Sequence, residues 1–229
     1  MISIILPTYN EKENIAELIS QLSTTLKQYK YELIVVDDDS PDLTWKTTEE
    51  LHNPNVKVIR RMGIRGIASA IHDGIKSAKG EYIGWMDCDL SMPPSALIYM
   101  KDALDEGNDI VIGSRYVKGG KDYRPFTRRF TSLLFNSYAR MILGGVKDYD
   151  SGFILLKKEV LSQIGFPANG YGEYFVEFMY KAKKKFKIYE APYILIDRQK
   201  GTSKTANSLF QLLGYGIQYG IKVLKLRFS

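Results

Sequence analysis

The sequence predicts an α/β protein in which a mostly parallel central sheet carries helices on both faces. Two observations indicate this class. Through the first half of the 229-residue chain, short apolar runs alternate with segments of helical periodicity, and short connections join them. Polar residues follow these runs, at the edge where the carboxyl ends of parallel strands meet and where such sheets bind ligands. The composition, 45% hydrophobic and 25% charged, allows a buried core and excludes a disordered or fibrous chain.

Five apolar runs in the first half have the length and composition of buried parallel strands. They are Ile2–Leu6, Leu33–Val36, Val56–Ile59, Tyr82–Met86 and Ile110–Gly113. Apolar residues at helical spacing predict the helices between them. These begin after Asn10 and cover about Asp42–Leu51, Ile64–Ala78 and Pro93–Leu104. Asn10 and Glu13 match a capping box, which predicts Asn10 as the N-cap of the first helix.

The second half of the chain has a less regular pattern. Its predicted elements are a helix at Phe126–Leu143, a strand at Gly152–Leu156, a helix at Tyr174–Lys185, a strand at Ile188–Ile196, a polar loop at Lys200–Ala206 and a helix from Ser208 onward. Pro192 cannot donate to a strand ladder, so the strand that contains it is expected at a sheet edge. Since no linker divides the chain, we expect one domain over residues 1–205, followed by an amphipathic helix over residues 206–229.

The cysteine, histidine and charge content exclude some classes of site and indicate others. The single cysteine, Cys88, excludes a disulfide framework, and two histidines leave no cluster for a zinc enzyme. The formal net charge is +6. Seven basic residues and one acidic residue lie between Arg115 and Arg140, and six and one lie between Asp197 and Ser229. Two such basic segments indicate anionic partners, although solvated basic faces would give the same counts.

Two carboxylates one residue apart, Asp87 and Asp89, directly follow the fourth predicted strand. Like charges this close are tolerated where a cation lies between them or where one carboxyl keeps its proton. Such oxygen ligands suit Mg²⁺ or Mn²⁺, which bind one or two carboxylates together with substrate phosphates. A polar loop that caps the helix at Pro93 would give the same pattern, so the D-x-D pair alone is a weak signal.

Seven motifs extend this pattern over most of the chain. In order they are I-L-P-T-Y-N-E, V-V-D-D-D-S-P-D, R-M-G-I-R-G-I-A-S-A, M-D-C-D-L-S-M-P-P, I-G-S-R-Y-V-K-G-G, D-Y-D-S-G-F and R-Q-K-G-T-S-K, from Ile2 to about Lys204. In these motifs the sequence resembles the family-2 glycosyltransferases with the GT-A (nucleotide-diphospho-sugar transferase) fold, and among them the dolichyl- or polyprenyl-phosphate mannose synthases. The resemblance implies an enzyme that transfers a sugar, with mannose from GDP-mannose as the first expectation, to a dolichyl or polyprenyl phosphate.

The resemblance also implies a donor site. Pro7, Tyr9, Glu11, Val36 and Asp38 would surround the nucleoside, and Asp38 would accept a hydrogen bond from the base. The other residues expected to bind the donor are Asp87, Cys88, Asp89, Arg115, Arg198 and Lys204. The residues expected to act in catalysis are Asp89, Arg115, Arg198 and Lys204.

The implied cofactor is Mg²⁺ or Mn²⁺, with Asp87, Asp89 and Ser91 as the metal site. Asp89 would be the more direct ligand. Many relatives have Gln at the position of Ser91, so Ser91 is expected to act through water. Cys88 is expected to be a small buried residue between the two carboxylates.

The implied acceptor phosphate would contact Arg115, Arg129 and Ser132, and Gly201 would let the loop around Arg198 fold over the donor as a lid. A phosphate monoester oxygen is already anionic at neutral pH, so no strong general base is needed. We therefore expect a direct in-line displacement at the anomeric carbon with inversion.

Membrane contact is expected at the periphery of a bilayer. The stretch Thr205–Ile221 is too short and too polar to span a bilayer, which takes ~20 mostly apolar residues. Lys222, Lys225 and Arg227 near its end indicate an interfacial helix, and Phe126–Leu143 has the same build. The alternative is that both helices simply pack on the sheet. The first residues lack signal-peptide features, so we expect a cytoplasmic protein, peripheral at the cytosolic face of a membrane.

Other functions remain open from the sequence. A relative using UDP-glucose or another donor would share most of these motifs. A non-catalytic nucleotide-sugar-binding or nucleic-acid-binding module would share the basic segments, but these lack the aromatic stacking motifs of RNA-binding proteins, so no nucleic-acid partner is expected. A Rossmann dehydrogenase is disfavoured because no G-x-G-x-x-G follows the first strand.

Overall fold

The computed structural model of the protein describes residues 1–198, 200 and 209–228, and of residues 209–215 and 217 the backbone alone. Its strands are β1 (Ile2–Thr8), β2 (Tyr31–Asp37), β3 (Val56–Arg60), β4 (Tyr82–Trp85), β5 (Ile110–Ser114), β6 (Lys121–Asp122), β7 (Ile154–Lys157), β8 (Ile188–Pro192) and β9 (Ile194–Leu195). Its helices are α1 (Lys12–Leu26), α2 (Thr44–Glu49), α3 (Ile67–Ser77), α4 (Ala96–Asp105), α5 (Phe126–Leu143), α6 (Lys158–Ile164), α7 (Glu173–Ala182) and α8 (Leu209–Phe228).

The main sheet is mostly parallel, as the sequence predicts. Its strand order is β3-β2-β1-β4-β7-β5-β8, and β6 pairs with β9 in a small second sheet. β3, β2, β1 and β4 run parallel to one another, and β5 runs parallel to β8. β7 is the exception because it runs antiparallel to both β4 and β5.

The core lies on both faces of this sheet, because each strand sends alternate side chains to opposite sides. In β1, Ile4 and Leu6 pack on one face, whereas Ile5 packs on the other. The approach of β7 to β4 is close. A Cβ on Gly84 would lie 2.6 Å from the carbonyl oxygen of Ile154, so this position in β4 requires glycine.

The predicted cap of the first helix is wrong. Asn10 has a φ of 55° and lies in the turn that leaves β1, a left-handed conformation that asparagine tolerates. Glu11 is the N-cap and makes no capping hydrogen bond with its side chain. Instead, Asn14 donates from Nδ2 to Glu11 Oε2 at 3.0 Å, so the acidic side chain is held at the start of α1.

Other boundaries differ from the predictions by a few residues. α2 and α3 are shorter than predicted at both ends, and α4 begins after the two prolines rather than on them. The short helix α6 was not predicted. The predicted strand Ile188–Ile196 is divided into β8 and β9, and β8 lies at the sheet edge, as Pro192 predicts. The predicted loop beyond Lys200 and the helix start at Ser208 lie outside the described residues.

The described part of α8 packs on the same core as the sheet. Val223 and Leu226 are buried in the cluster that contains Ile112 of β5. The domain division at residue 205 lies outside the described residues and stays a prediction. Among the helices that the structure describes, none has the length and apolar content needed to cross a bilayer.

Candidate active site

A cavity of about 620 Å³ opens at the carboxyl ends of β1, β2, β4 and β5. The chain passes from β1 to β2 and β3 on one side, and β4 then starts on the other side of β1. This reversal of strand order is where open α/β sheets bind ligands. Because the strands lie side by side, the residues that follow them line the cavity in the order of the sheet.

Residues after β2 form one wall, and its central group is the buried carboxylate of Asp38. Arg61 donates from Nε to Asp38 Oδ1 at 2.8 Å, and the backbone N–H of Gly66 donates to Oδ2 at 2.8 Å. Arg61 also contacts Asp73 at 3.1 Å. Burial raises the pKa of Asp38, although these hydrogen bonds oppose it. Asp38 therefore holds the segment that leads into α3, and its predicted hydrogen bond to a base stays a prediction.

Tyr9 and Arg65 complete this wall. The Arg65 guanidinium lies 3.6 Å from the centre of the Tyr9 ring, a cation–π contact on the cavity surface. Pro7 and Glu11 also line the cavity, as expected. Val36 of β2 is not among the described residues that line the cavity, because its side chain is completely buried in the core cluster on one face of the sheet.

The acidic residues after β4 lie at the middle of the cavity. Asp87, Asp89 and Ser91 line it. Asp89 Oδ1 accepts a hydrogen bond from the backbone N–H of Ser91 at 3.1 Å, and Leu90 between them has a φ of 62°. Cys88 is buried, as predicted. The tight turn thus brings Ser91 to Asp89 through its backbone.

Arg198 joins the acidic residues after β4 to the start of α1. It donates from Nη2 to Glu11 Oε1 at 2.9 Å and from Nη1 to Oε2 at 3.1 Å. Its Nη2 also lies 3.4 Å from Asp89 Oδ2. The sequence-predicted residues Glu11, Asp89 and Arg198 are therefore brought together. Lys204 and Gly201, predicted for the same loop, lie outside the described residues.

The carboxylate oxygens of the cavity fit a divalent cation whose other ligands come from a bound phosphate group. Among the described residues, no three His, Cys, Asp or Glu side chains are grouped as a closed metal site. Asp87 and Asp89 nonetheless present carboxylate oxygens to an open cavity, and Mg²⁺ or Mn²⁺ binds in this way when phosphates complete its shell.

Residues after β5 form a buried charge cluster, the Arg115 cluster, composed of Arg115, Asp122, Asp148 and Asp150. The Arg115 side chain is 2% exposed. It donates from Nε to Asp148 Oδ2 at 2.8 Å and also contacts Asp150, with Asp122 at 3.7 Å. Burial raises the pKa of Asp148, while the charge of Arg115 lowers it. Arg115 reaches the cavity, but carboxylates surround its guanidinium.

The polar side of α5 supports this cluster. Ser132 Oγ donates to Asp150 Oδ2 at 3.0 Å and accepts from the Tyr116 hydroxyl at 2.9 Å. Asn136 donates to Asp150 Oδ1 at 2.7 Å. Ser132, predicted to contact an acceptor phosphate, is buried beneath the cavity and is not among the described residues that line it.

Two arginines that the sequence analysis did not assign line the basic end of the cavity. Arg124 pairs with Asp122 at 2.7 Å, and Arg128 pairs with Asp197 at 3.3 Å. Arg129, which was expected here, is exposed and is not among the described residues that line the cavity. Adjacent helix positions differ by about 100° in direction, so a one-residue shift changes the face.

The arginines that sequence reasoning missed had partial signals. Arg61 and Arg65 lie in the motif R-M-G-I-R-G, but the motif alone does not assign them a role. Arg124 and Arg128 lie in the basic segment from Arg115 to Arg140, and the charge of a segment does not show which of its members face inward.

The mostly parallel sheet has, at its switch point, an aromatic and basic wall, paired carboxylates and a basic end. These features define an α/β protein suited to a phosphorylated ligand and a divalent cation. The sequence model of the family described as "Glycosyl transferase family 2" matches residues 3–165 of this chain. The chain therefore belongs to glycosyl transferase family 2.

Two curated relatives match over nearly the whole chain. A dolichol-phosphate mannosyltransferase of Pyrococcus furiosus is 40% identical over 218 residues, which cover 93% of this chain and 61% of the relative. A polyprenol monophosphomannose synthase of Mycolicibacterium smegmatis is 33% identical, over 94% of this chain and 86% of the relative. The chain thus spans less than two thirds of the Pyrococcus protein.

Solved structures confirm the GT-A fold expected from the resemblance. Glucosyl-3-phosphoglycerate synthase from Mycobacterium tuberculosis, in complex with Mn²⁺, UDP-glucose and phosphoglyceric acid, superposes with a TM-score of 0.78. The match covers 99% of this chain and 79% of that chain, at 17% identity. The same protein in complex with UDP gives a TM-score of 0.76 at 18% identity, with 99% and 80% covered.

Proposed function

We propose that the protein is an inverting glycosyltransferase that moves mannose from GDP-mannose to a dolichyl or polyprenyl phosphate. The order of groups along the cavity carries this proposal. The wall of Tyr9 and Arg65 lies at one end, Asp87 and Asp89 follow, and basic residues after β5 lie at the other end. A nucleoside, a diphosphate and a second phosphate would meet them in that order. The names of the two relatives support the same reaction.

The donor would bind from the ends of β2 and β1 toward the end of β4. Tyr9 and Arg65 offer a flat cationic surface to the base, and Asp38 holds the segment that presents Arg65. Asp87 and Asp89 would hold Mg²⁺ or Mn²⁺, which would neutralise charge on the departing diphosphate. The Mn²⁺ in solved structures of this fold supports a divalent-metal dependence.

The acceptor phosphate would approach from the basic end. Arg124 and Arg128 line this part of the cavity, and guanidinium groups bind phosphate through paired hydrogen bonds. A phosphate oxygen is already anionic, so the attack needs no proton acceptor. The bond between the anomeric carbon and the phosphate oxygen forms as the bond to the diphosphate breaks, which inverts the anomeric carbon.

A lipid acceptor also accounts for the unusual surface of α5. Its polar residues Ser132 and Asn136 face inward, whereas Phe130, Leu134 and Met141 are exposed, Met141 by 74%. A helix with apolar residues on its outer face is typical of interfacial contact with lipid. We propose that this face, with exposed residues of the adjoining α8 such as Phe228, holds the protein peripherally at the cytosolic face of a membrane.

A donor screen tests the proposal. The protein is incubated with a short polyprenyl phosphate, Mg²⁺ or Mn²⁺, and GDP-mannose, UDP-glucose or UDP-N-acetylglucosamine in separate reactions. We expect a mannosyl lipid phosphate from GDP-mannose. Transfer from UDP-glucose alone would replace the donor assignment. Nucleotide binding without any transfer would favour a non-catalytic nucleotide-sugar-binding module.

A further inference from the structure

Arg198 lies between Glu11, which is expected beside the donor nucleoside, and Asp89, which is expected to bind the divalent cation. Two of its nitrogens pair with both oxygens of Glu11, at 2.9 and 3.1 Å, which anchors the guanidinium at the start of α1. The same Nη2 lies 3.4 Å from Oδ2 of Asp89. Asn14 links the two chain segments that carry Glu11 and Arg198. Its Nδ2 donates to Glu11 Oε2 at 3.0 Å and to the carbonyl oxygen of Lys200 at 3.4 Å.

The charge balance explains why the guanidinium stays there. Glu11, Asp87 and Asp89 bring three carboxylates to one part of the cavity, and Glu11 and Asp89 are only 6% and 17% exposed. Burial acts to lower the pKa of Arg198, but the hydrogen bonds to Glu11 and the charges of Glu11, Asp89 and Asp87 outweigh it and raise the pKa. Arg198 thus supplies a permanent positive charge beside a carboxylate expected to bind a divalent cation.

We propose that Arg198 is a positioning residue that makes divalent-cation binding depend on donor binding. It holds Asp89 by ion pairing until the donor diphosphate takes the place of Asp89 at the guanidinium, which stays anchored to Glu11 and leaves Asp89 to the divalent cation. The inference rests on the proposed function, because the exchange requires a nucleoside diphosphate as the incoming anion.

The exchange follows from the preferences of the groups involved. A guanidinium binds a phosphate group through two hydrogen bonds, so a diphosphate competes well with one 3.4 Å contact to a carboxylate. A divalent cation that arrives alone meets a positive charge at Asp89 and lacks the phosphate oxygens that complete its shell. Since coupling between two sites is reciprocal, the cation must also strengthen donor binding by the same factor.

Mn²⁺ binding to the full chain, measured by electron paramagnetic resonance with and without GDP, tests the inference without any turnover. The variants are Arg198→Gln and Arg198→Lys. Arg60→Gln is the matched control, because Arg60 pairs with Asp39 at 2.6 Å outside the cavity and its loss changes the net charge equally.

We expect Mn²⁺ alone to bind Arg198→Gln about fivefold more tightly than the wild type. This factor corresponds to the loss of one partly exposed ion pair, the one between Arg198 and Asp89. GDP should strengthen Mn²⁺ binding in the wild type, and this enhancement should shrink by a similar factor in Arg198→Gln. Arg198→Lys, which keeps the charge, should lie closer to the wild type. Arg60→Gln should match the wild type in both measurements.

Unchanged or weaker Mn²⁺ binding in Arg198→Gln would overturn the inference, as would an equal gain in Arg60→Gln. The failure of the proposed function has a different signature. A wild-type protein whose Mn²⁺ affinity responds to neither GDP nor UDP would contradict the nucleotide-sugar site itself. A wild-type response to GDP with no gain in Arg198→Gln would contradict the role of Arg198 alone.

Discussion

Replacing Arg115 by methionine separates a structural role of this residue from a phosphate-binding one. The Asp148 side chain is fully buried and accepts from Arg115 Nε at 2.8 Å and Nη2 at 2.5 Å. Removing one partner of a buried ion pair costs about 3–5 kcal/mol in the free energy of unfolding. Asp148 keeps the backbone N–H of Arg115 at 2.9 Å, so we expect a loss of about 3 kcal/mol for Arg115→Met.

The free energy of unfolding lost in Arg115→Met should be smaller at low pH than at neutral pH. Burial raises the pKa of Asp148 to about 6 even with Arg115 present, and removing the guanidinium raises that pKa further. A carboxyl whose pKa is raised in the folded state binds protons more tightly there than in the unfolded chain. Its contribution to stability is therefore present at low pH and is lost as pH rises. The difference between Arg115→Met and the wild type should shrink from about pH 7.5 to about pH 5.

Urea denaturation, followed by circular dichroism at both pH values, measures the difference in free energy of unfolding between Arg115→Met and the wild type. Arg124→Met is the control, because Arg124 forms a more exposed pair with Asp122 and should cost less. Adding Asp148→Asn to Arg115→Met should recover much of the loss, since the unpaired buried charge is then absent. A loss below about 1 kcal/mol without pH dependence would refute this reasoning. If acceptor affinity fell while stability held, Arg115 would instead be the phosphate ligand that the resemblance implies.

Three further predictions concern the metal site, the polar side of α5 and its apolar face. Asp89→Asn should lower sugar transfer at least about 100-fold without changing the urea midpoint, because Asp89 lines the cavity and asparagine keeps the Oδ1 that accepts from the Ser91 N–H. Asn136→Ala should lower the free energy of unfolding by about 2–3 kcal/mol, since Asn136 Oδ1 accepts from the buried Tyr149 N–H at 2.6 Å. Leu134→Glu with Met141→Glu should weaken sedimentation with anionic lipid vesicles while leaving GDP binding unchanged, because both side chains are exposed.

Each of these predictions has a control and a contradicting result. Asp102→Asn, exposed on α4, should keep full transfer, and a fully active Asp89→Asn would contradict the metal assignment. Asn55→Ala is exposed and should be neutral, whereas a neutral Asn136→Ala would mean that Asn136 does not hold Tyr149. Leu51→Glu removes an exposed leucine away from α5 and should not affect vesicle sedimentation. Equal vesicle binding by the Leu134 and Met141 variant would contradict the membrane-facing surface.

The local sequence pattern was sufficient to predict the strands whose residues are almost all buried. β1 and β2 are largely apolar because helices cover both faces of the sheet, so composition alone identifies them. The position of Asp87 and Asp89 at the cavity followed from their place after β4, since parallel strands end at a common edge. The turn at Asn10 was mispredicted because the chain needs a left-handed residue to leave β1, and this requirement overrides the capping pattern.

By itself, the sequence determined the fold class, the acidic strand ends and the family, because these depend on periodicity and on short motifs. The tertiary structure alone decided which basic residues face the site. Arg128 rather than Arg129 lines the cavity, and carboxylates from distant parts of the chain surround Arg115. Arg198 meets Glu11 across 187 positions of sequence. A charge count cannot distinguish a solvated arginine from a buried one, because partner distance and desolvation are set only when strands and helices pack together.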